Sequence, residues 1–176
     1  MNKLISYLNL IRFFNPIGFW LLLWPGLWGL FLSGNMDISY FTIVVLGSFL
    51  TRSVGCAIND MIDIQYDKKV DRTKNRPLAN GDLTFKEALI FTIILATACL
   101  YLLSLTNMQT ICLVLFVAVP MIVIYPLMKR FIAVPQLFLG ATFGLSLPIS
   151  YSMAEGYVSL EIIFLYLGCI FWILAY

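Results

Sequence analysis

The run FTIILATACLYLLSL at residues 91–105 carries no charged side chain in fifteen positions. Its apolar residues do not alternate. A strand of a membrane barrel is about ten residues long and alternates lipid-facing with lumen-facing side chains, so this run is a helix. A helix crossing the hydrocarbon core takes about 20 apolar residues. Outward from this run, six stretches of that kind succeed one another, over residues 16–33, 38–58, 85–105, 108–128, 132–153 and 158–176. The expected fold is all-α, a polytopic transmembrane helix bundle, with residues 1–176 forming a single domain.

Composition agrees with that reading. Of 176 residues, 61% are hydrophobic and 11% charged, against about 25% charged in ordinary soluble domains, and the mean hydropathy is +0.94. The lipid bilayer is the first partner to expect, and no nucleic acid is expected. Histidine is absent, which excludes imidazole bases, Ser-His-Asp triads and His-ligated metals. Cys56, Cys99, Cys112 and Cys169 are solitary, show no Cys-x-x-Cys spacing, and read as small buried apolar residues.

Basic residues fall on one set of connections. Lys3 and Arg12 precede the first span, Lys68, Lys69, Arg72, Lys74, Arg76 and Lys86 lie between the second and third, and Lys129 and Arg130 lie between the fourth and fifth. These are ten of the eleven Lys and Arg. The positive-inside rule then puts the N-terminus and these connections in the cytoplasm. The first span lacks a small-residue cleavage site and is succeeded at once by others, so it is not expected to be a cleaved signal.

Gly140 and Gly144 form a GxxxG pair that suits close helix contact. Pro25, Pro120, Pro126 and Pro148 are expected to kink helices or mark their ends. Trp20, Trp24 and Trp28 recur at i+4 on one helix face. They read as packing and interface anchors, with the wall of a substrate cavity as the alternative.

The unusual chemistry sits in GCAINDMIDIQYDKKVDR, residues 55–72. A helix continuing through it stacks Asn59, Asp63, Asp67 and Asp71 at i+4 on one face, with Asp60 one position round. Neighbouring carboxylates about 5 to 6 Å apart repel by roughly 3 kcal/mol at an effective dielectric of 20. They also lie at a helix C-terminus, where the macrodipole favours cations. Two arrangements relieve this. Lys68, Lys69, Arg72 and Arg76 can pair with the acids in a solvated loop, or a divalent cation can bind. Oxygen donors without His or Cys select hard cations, Mg²⁺ above all, which takes one or two carboxylates and completes its shell with water and substrate phosphate. The second arrangement implies a phosphate-bearing, lipid-soluble substrate.

The segment Asn59 to Asp67 resembles the NDxxDxxxD motif of the UbiA family of intramembrane prenyltransferases, and residues 71–78, DRTKNRPL, resemble the stretch just C-terminal to that motif in the family. Pro16-Ile17-Gly18 with Leu21-Leu22-Leu23-Trp24-Pro25, Gly55-Cys56-Ala57-Ile58-Asn59-Asp60, and Tyr125-Pro126-Leu127-Met128-Lys129-Arg130 with Pro135-Gln136 and Leu139-Gly140 are similar to the branch that acts on 4-hydroxybenzoate in ubiquinone biosynthesis. The resemblance runs over the whole chain. It departs at Phe14-Asn15, where the family usually carries a charged pair.

The resemblance implies Mg²⁺-dependent transfer of a polyprenyl group from polyprenyl diphosphate to the ring of 4-hydroxybenzoate, in a bacterial inner membrane, or a mitochondrial one. It implies that Asn59, Asp63 and Asp67 hold metal and diphosphate with help from Asp60, and that Asp63 and Asp67 are catalytic. Arg72, Arg76, Lys129 and Arg130 are then the diphosphate partners, and Arg12 meets either the benzoate carboxylate or only the interface as a snorkelling anchor. The family pattern has about nine helices and a second Asp-rich motif after the sixth. The 176 residues are therefore expected to be the N-terminal two thirds of a longer enzyme, inactive alone. Haem O synthase, which farnesylates haem, shares the first motif, and a cation transporter is the non-enzymatic alternative, since acids in a bundle also mark ion paths.

Overall fold

A computed structural model describes residues 2–128 and 134–175. Every regular element among them is helical. They are α1 (Lys3–Leu10), α2 (Ile17–Ser33), α3 (Ile38–Asp67) and α4 (Phe85–Ser104), then α5 (Met108–Leu113), which passes through a π-helical turn (Val114–Ala118) into α6 (Val119–Met128), then α7 (Pro135–Gly144), running on into α8 (Ser146–Glu155), and α9 (Leu160–Ala175). The six expected spans are all present in order. Four helical stretches are long and apolar enough to cross a membrane, and α2 and α9 are shorter apolar helices. One feature differs from the expected spans, an additional short helix α1 before the first, while α3 outlasts its apolar stretch and continues to Asp67 as the spacing of the acids implies.

Local signals start and stop these helices. Asp37 caps α3 by accepting the Ser39 N–H at 2.7 Å, and that bond holds the Asp37 carboxyl below its ordinary value. Thr84 and Glu87 form a capping box at the start of α4, satisfying two N–H groups the helix cannot. α2 ends at Gly34 with φ 71°, a left-handed position that glycine takes without the clash a Cβ brings.

Packing is closest between α2 and α8, α7 and α9, and α3 and α4. Small residues make the first two contacts. A Cβ on Gly140 would lie 2.8 Å from the Ile170 carbonyl oxygen, and one on Gly144 would lie 3.1 Å from the Tyr166 ring, so the GxxxG pair serves the helix contact expected of it. Ser146 Oγ of α8 donates to the Leu22 carbonyl at 2.7 Å, in the turn before Pro25, and ties that stretch of α2 to its neighbour. Trp20 and Trp24 stack at 6.3 Å and Trp28 packs on Trp172 at 5.5 Å. Cys56 and Cys169 are buried as expected, whereas Cys99 is half-buried and Cys112 exposed.

Residues 68–84 leave α3 as a chain of turns, anchored by an apolar cluster of Leu10, Ala57, Leu78, Leu83 and Ala88. That cluster holds α1, the base of α3, the connection and α4 together, and an exposed ion pair between Lys3 and Glu87 adds a second link. The connection is thereby folded back beneath the end of α3.

Candidate active site

The last turns of α3 bury three carboxylates: Asp60 is 1% exposed, Asp63 5% and Asp67 7%. Asn59 is half-buried beside them. Asp71 does not join the face, because α3 ends at Asp67. It lies exposed on the connection, paired with Lys74 at 2.8 Å. The acidic stripe is therefore shorter than a continuous helix predicts.

Among the described residues, two guanidiniums pair with Asp60 and Asp67. Arg12 Nη2 donates to both Asp60 oxygens, at 2.7 and 2.9 Å. Arg76 Nη1 bridges Asp60 Oδ1 at 3.1 Å and Asp67 Oδ2 at 2.8 Å. Asp60 is thus the hub of the network, engaged on both oxygens by cations from two separate connections. Burial of an unpaired carboxylate costs several kcal/mol, and pairing with hydrogen-bonded guanidinium offsets it. Arg12 reaches this position from a left-handed backbone, φ 60°, sparsely populated for a residue with a Cβ. Its Nη1 also donates to the Asn9 carbonyl at 3.1 Å, so α1 and the linker both orient it.

The remaining expected residues divide. Arg72 is exposed on the connection, and Lys129 and Arg130 lie outside the described residues. The donor set of Asn59, Asp63 and Asp67 suits Mg²⁺ by chemistry, since that ion uses few protein carboxylates and takes the rest of its shell from water and phosphate. Among the described residues no group of three acidic or cysteine side chains is arranged to hold a metal ion. A metal here would need oxygens from water and substrate.

Three cavities with shared walls lie beside this network. A polar throat of about 170 Å³ is lined by Arg12, Arg52, Asn59, Asp60, Arg76 and Tyr125 among others. It shares Leu22, Thr51, Ile122 and Thr142 with an apolar cavity of about 440 Å³ inside the bundle. A third space of about 250 Å³ lies between Arg12 and Arg52 and has aromatic walls from Phe13, Phe19, Trp20 and Phe49. Trp20 therefore lines a cavity while Trp24 and Trp28 serve packing.

Arg52 is the site residue that charge counting along the connections passes over. It lies within α3, half-buried, and borders both the throat and the aromatic space. Its guanidinium carbon sits 5.5 Å from the centroid of the Phe143 ring, and no described carboxylate pairs with it. A lone arginine inside an apolar run is itself the signal that marks it, because intramembrane charge is expensive and usually functional.

The UbiA prenyltransferase family profile matches residues 22–176. The 4-hydroxybenzoate octaprenyltransferase of Polynucleobacter necessarius is 44% identical over 180 residues, covering 99% of this chain and 61% of the relative. That of Pasteurella multocida is 45% identical over 177 residues, with the same two coverages. Among solved structures, a digeranylgeranylglyceryl phosphate synthase aligns with a TM-score of 0.80 at 25% identity, over 99% of this chain and 61% of that one. A UbiA homolog from Archaeoglobus fulgidus bound to GPP and Mg²⁺ shares the fold with a TM-score of 0.76 at 20% identity, over 96% and 60%. The chain spans about three fifths of the length of these relatives. With an acidic helix end lining a throat beside an apolar cavity and this match over most of its length, the chain belongs to the UbiA prenyltransferase family.

Proposed function

We propose that this chain forms the diphosphate-binding part of a Mg²⁺-dependent polyprenyltransferase acting on 4-hydroxybenzoate in ubiquinone biosynthesis, at the cytoplasmic face of a bacterial inner membrane. The observation that carries the reading is the buried acidic end of α3, where Asp60 and Asp67 pair with two guanidiniums and Asn59 and Asp60 line a throat that shares walls with an apolar cavity. A polar head and a long hydrocarbon tail are the two parts of a polyprenyl diphosphate. Those two environments adjoin here.

Asn59, Asp63 and Asp67 would hold Mg²⁺, which when bound stabilises the charge developing on the departing diphosphate. Arg76 already touches Asp60 and Asp67, within reach of non-bridging oxygens, and its fork suits phosphate. Arg72 lies on the same connection, and Lys129 and Arg130 are proposed as further partners from the next connection on that side. Thr142 and Ile122 mark the passage from the throat to the apolar cavity, which accommodates the tail and excludes water from the reacting carbon. Arg12 is committed to Asp60, so the acceptor's carboxylate is assigned to Arg52, with Arg12 across the same aromatic space. Among the described residues all acids at the site come from α3. The 176 residues then hold the diphosphate from one direction and are not expected to turn over alone.

Calorimetric titration of geranyl diphosphate with Mg²⁺ into the purified chain in detergent tests this. Binding should disappear with EDTA. It should weaken in Asp63→Asn and in Asp67→Asn by at least about 10-fold to 100-fold, the range seen even for the outer shell of metal sites. Binding that ignores both Mg²⁺ and the two carboxylates would overturn the reading. Addition of 4-hydroxybenzoate should give no prenylated product, and robust product would show that one helix end suffices.

A further inference from the structure

Three glycines in this bundle stand where a side chain would collide, and they do not do the same thing. A Cβ on Gly29 would run into the backbone of Leu147 and the Ser150 hydroxyl, and one on Gly140 into the Ile170 carbonyl. Both are helix contacts, and only separating the helices relieves such a clash. Gly18 is different. Its Cβ would lie 2.6 Å from Cζ and 2.7 Å from Nη2 of Arg52, and closer still to Nε. The three nearest atoms all belong to the guanidinium of one flexible side chain.

Gly18 lies in the first turn of α2 and is buried. The Arg52 guanidinium is therefore laid against bare α2 backbone on one side, with the Phe143 ring near it at 5.5 Å. In that slot it borders both the throat and the aromatic space. A planar cation confined against a backbone and near a ring loses little rotamer freedom when it meets a carboxylate, because its orientation is largely set. We propose that Gly18 is a positioning residue: its missing Cβ is the slot that turns Arg52 toward the carboxylate of the aromatic acceptor. The inference rests on the assignment of that carboxylate to Arg52. The nearest atoms a methyl at Gly18 would meet belong to the end of one flexible side chain and not to a helix backbone, so its effect should report on position rather than on packing.

The test is equilibrium dialysis of radiolabelled 4-hydroxybenzoate against the purified 176-residue chain in detergent, as wild type, Gly18→Ala, Arg52→Gln and the double variant. Uncharged 4-hydroxybenzyl alcohol is measured alongside, and thermal unfolding of each protein is recorded. Gly18→Ala should unfold close to wild type yet bind 4-hydroxybenzoate about 10-fold to 100-fold more weakly, the loss of one charge-assisted hydrogen bond. The double variant should bind no more weakly than Arg52→Gln, and the alcohol should be indifferent to Gly18→Ala. Wild-type affinity in Gly18→Ala, full additivity with Arg52→Gln, an equal loss for the alcohol, or unfolding of Gly18→Ala would each overturn the role of Gly18 while leaving Arg52 assigned. Wild-type affinity in Arg52→Gln, or no binding by the wild type, would remove the Arg52 assignment and this inference with it.

Discussion

The two ends of the bundle are both tied across elements, by opposite means. At the end away from the acids, Asn107 Nδ2 donates to the Ser152 and Met153 carbonyls at 2.7 and 3.1 Å, and the Thr110 and Ser152 hydroxyls meet at 2.9 Å. Asn107 also caps α5 through the Thr110 N–H at 2.9 Å. These bonds are neutral. Two of the groups they use, the Thr110 N–H and the Met153 carbonyl, are ones a helix end leaves unsatisfied, so the tie costs little desolvation. At the acidic end the ties are ion pairs between Asp60, Asp67, Arg12 and Arg76, and desolvating those charges offsets much of what the pairing contributes. Stability alone is served by the neutral arrangement. Under the proposed function, the charged pairs are the ones that exchange partners for a metal and a diphosphate.

The largest effect should come from removing the hub. Asp60→Ala leaves Arg12 with no carboxylate and Arg76 with Asp67 alone, and breaking a buried pair typically costs about 3 to 5 kcal/mol. Its thermal unfolding midpoint in detergent should fall further than that of any single substitution at the opposite end. A loss no greater than that of Asn107→Ala would break the contrast between the ends.

Next in size is a change of opposite sign. Arg76 occupies Asp67 Oδ2 at 2.8 Å, so it competes with any cation for that carboxylate. Arg76→Gln should tighten binding of Mn²⁺ alone, read by its electron paramagnetic resonance signal, by about tenfold. Weaker Mn²⁺ binding would mean that Arg76 supports the carboxylates instead of competing for them.

The smallest effect belongs to the neutral end. Asn107→Ala removes a helix cap and two carbonyl contacts, and should lower stability by about 1 to 2 kcal/mol with Mn²⁺ binding unchanged. Altered cation binding there would show that the ends are coupled.

The order of the spans and the family were readable from the chain alone, because hydrophobic runs, turn residues and motif spacings are local properties. The apolar run around residues 91–105 becomes α4, the spacing of Asn59, Asp63 and Asp67 announces a helix that outlasts its apolar stretch, and α3 runs to Asp67. Gly140 and Gly144 were legible for the same reason. The i+4 rule overran at Asp71, since a helix stops where its caps stop it and not where a pattern does. Arg52 was visible as an isolated charge in an apolar run and lost its meaning when basic residues were counted only between spans. Spacing along the chain does not contain which charges meet. Arg12 and Arg76 are 48 and 16 residues from Asp60, and Gly18 is far along the chain from Arg52. These encounters exist only once α1, α2 and the connection after α3 pack together, because pairing of buried charges and clearance for a side chain are set by distances between elements.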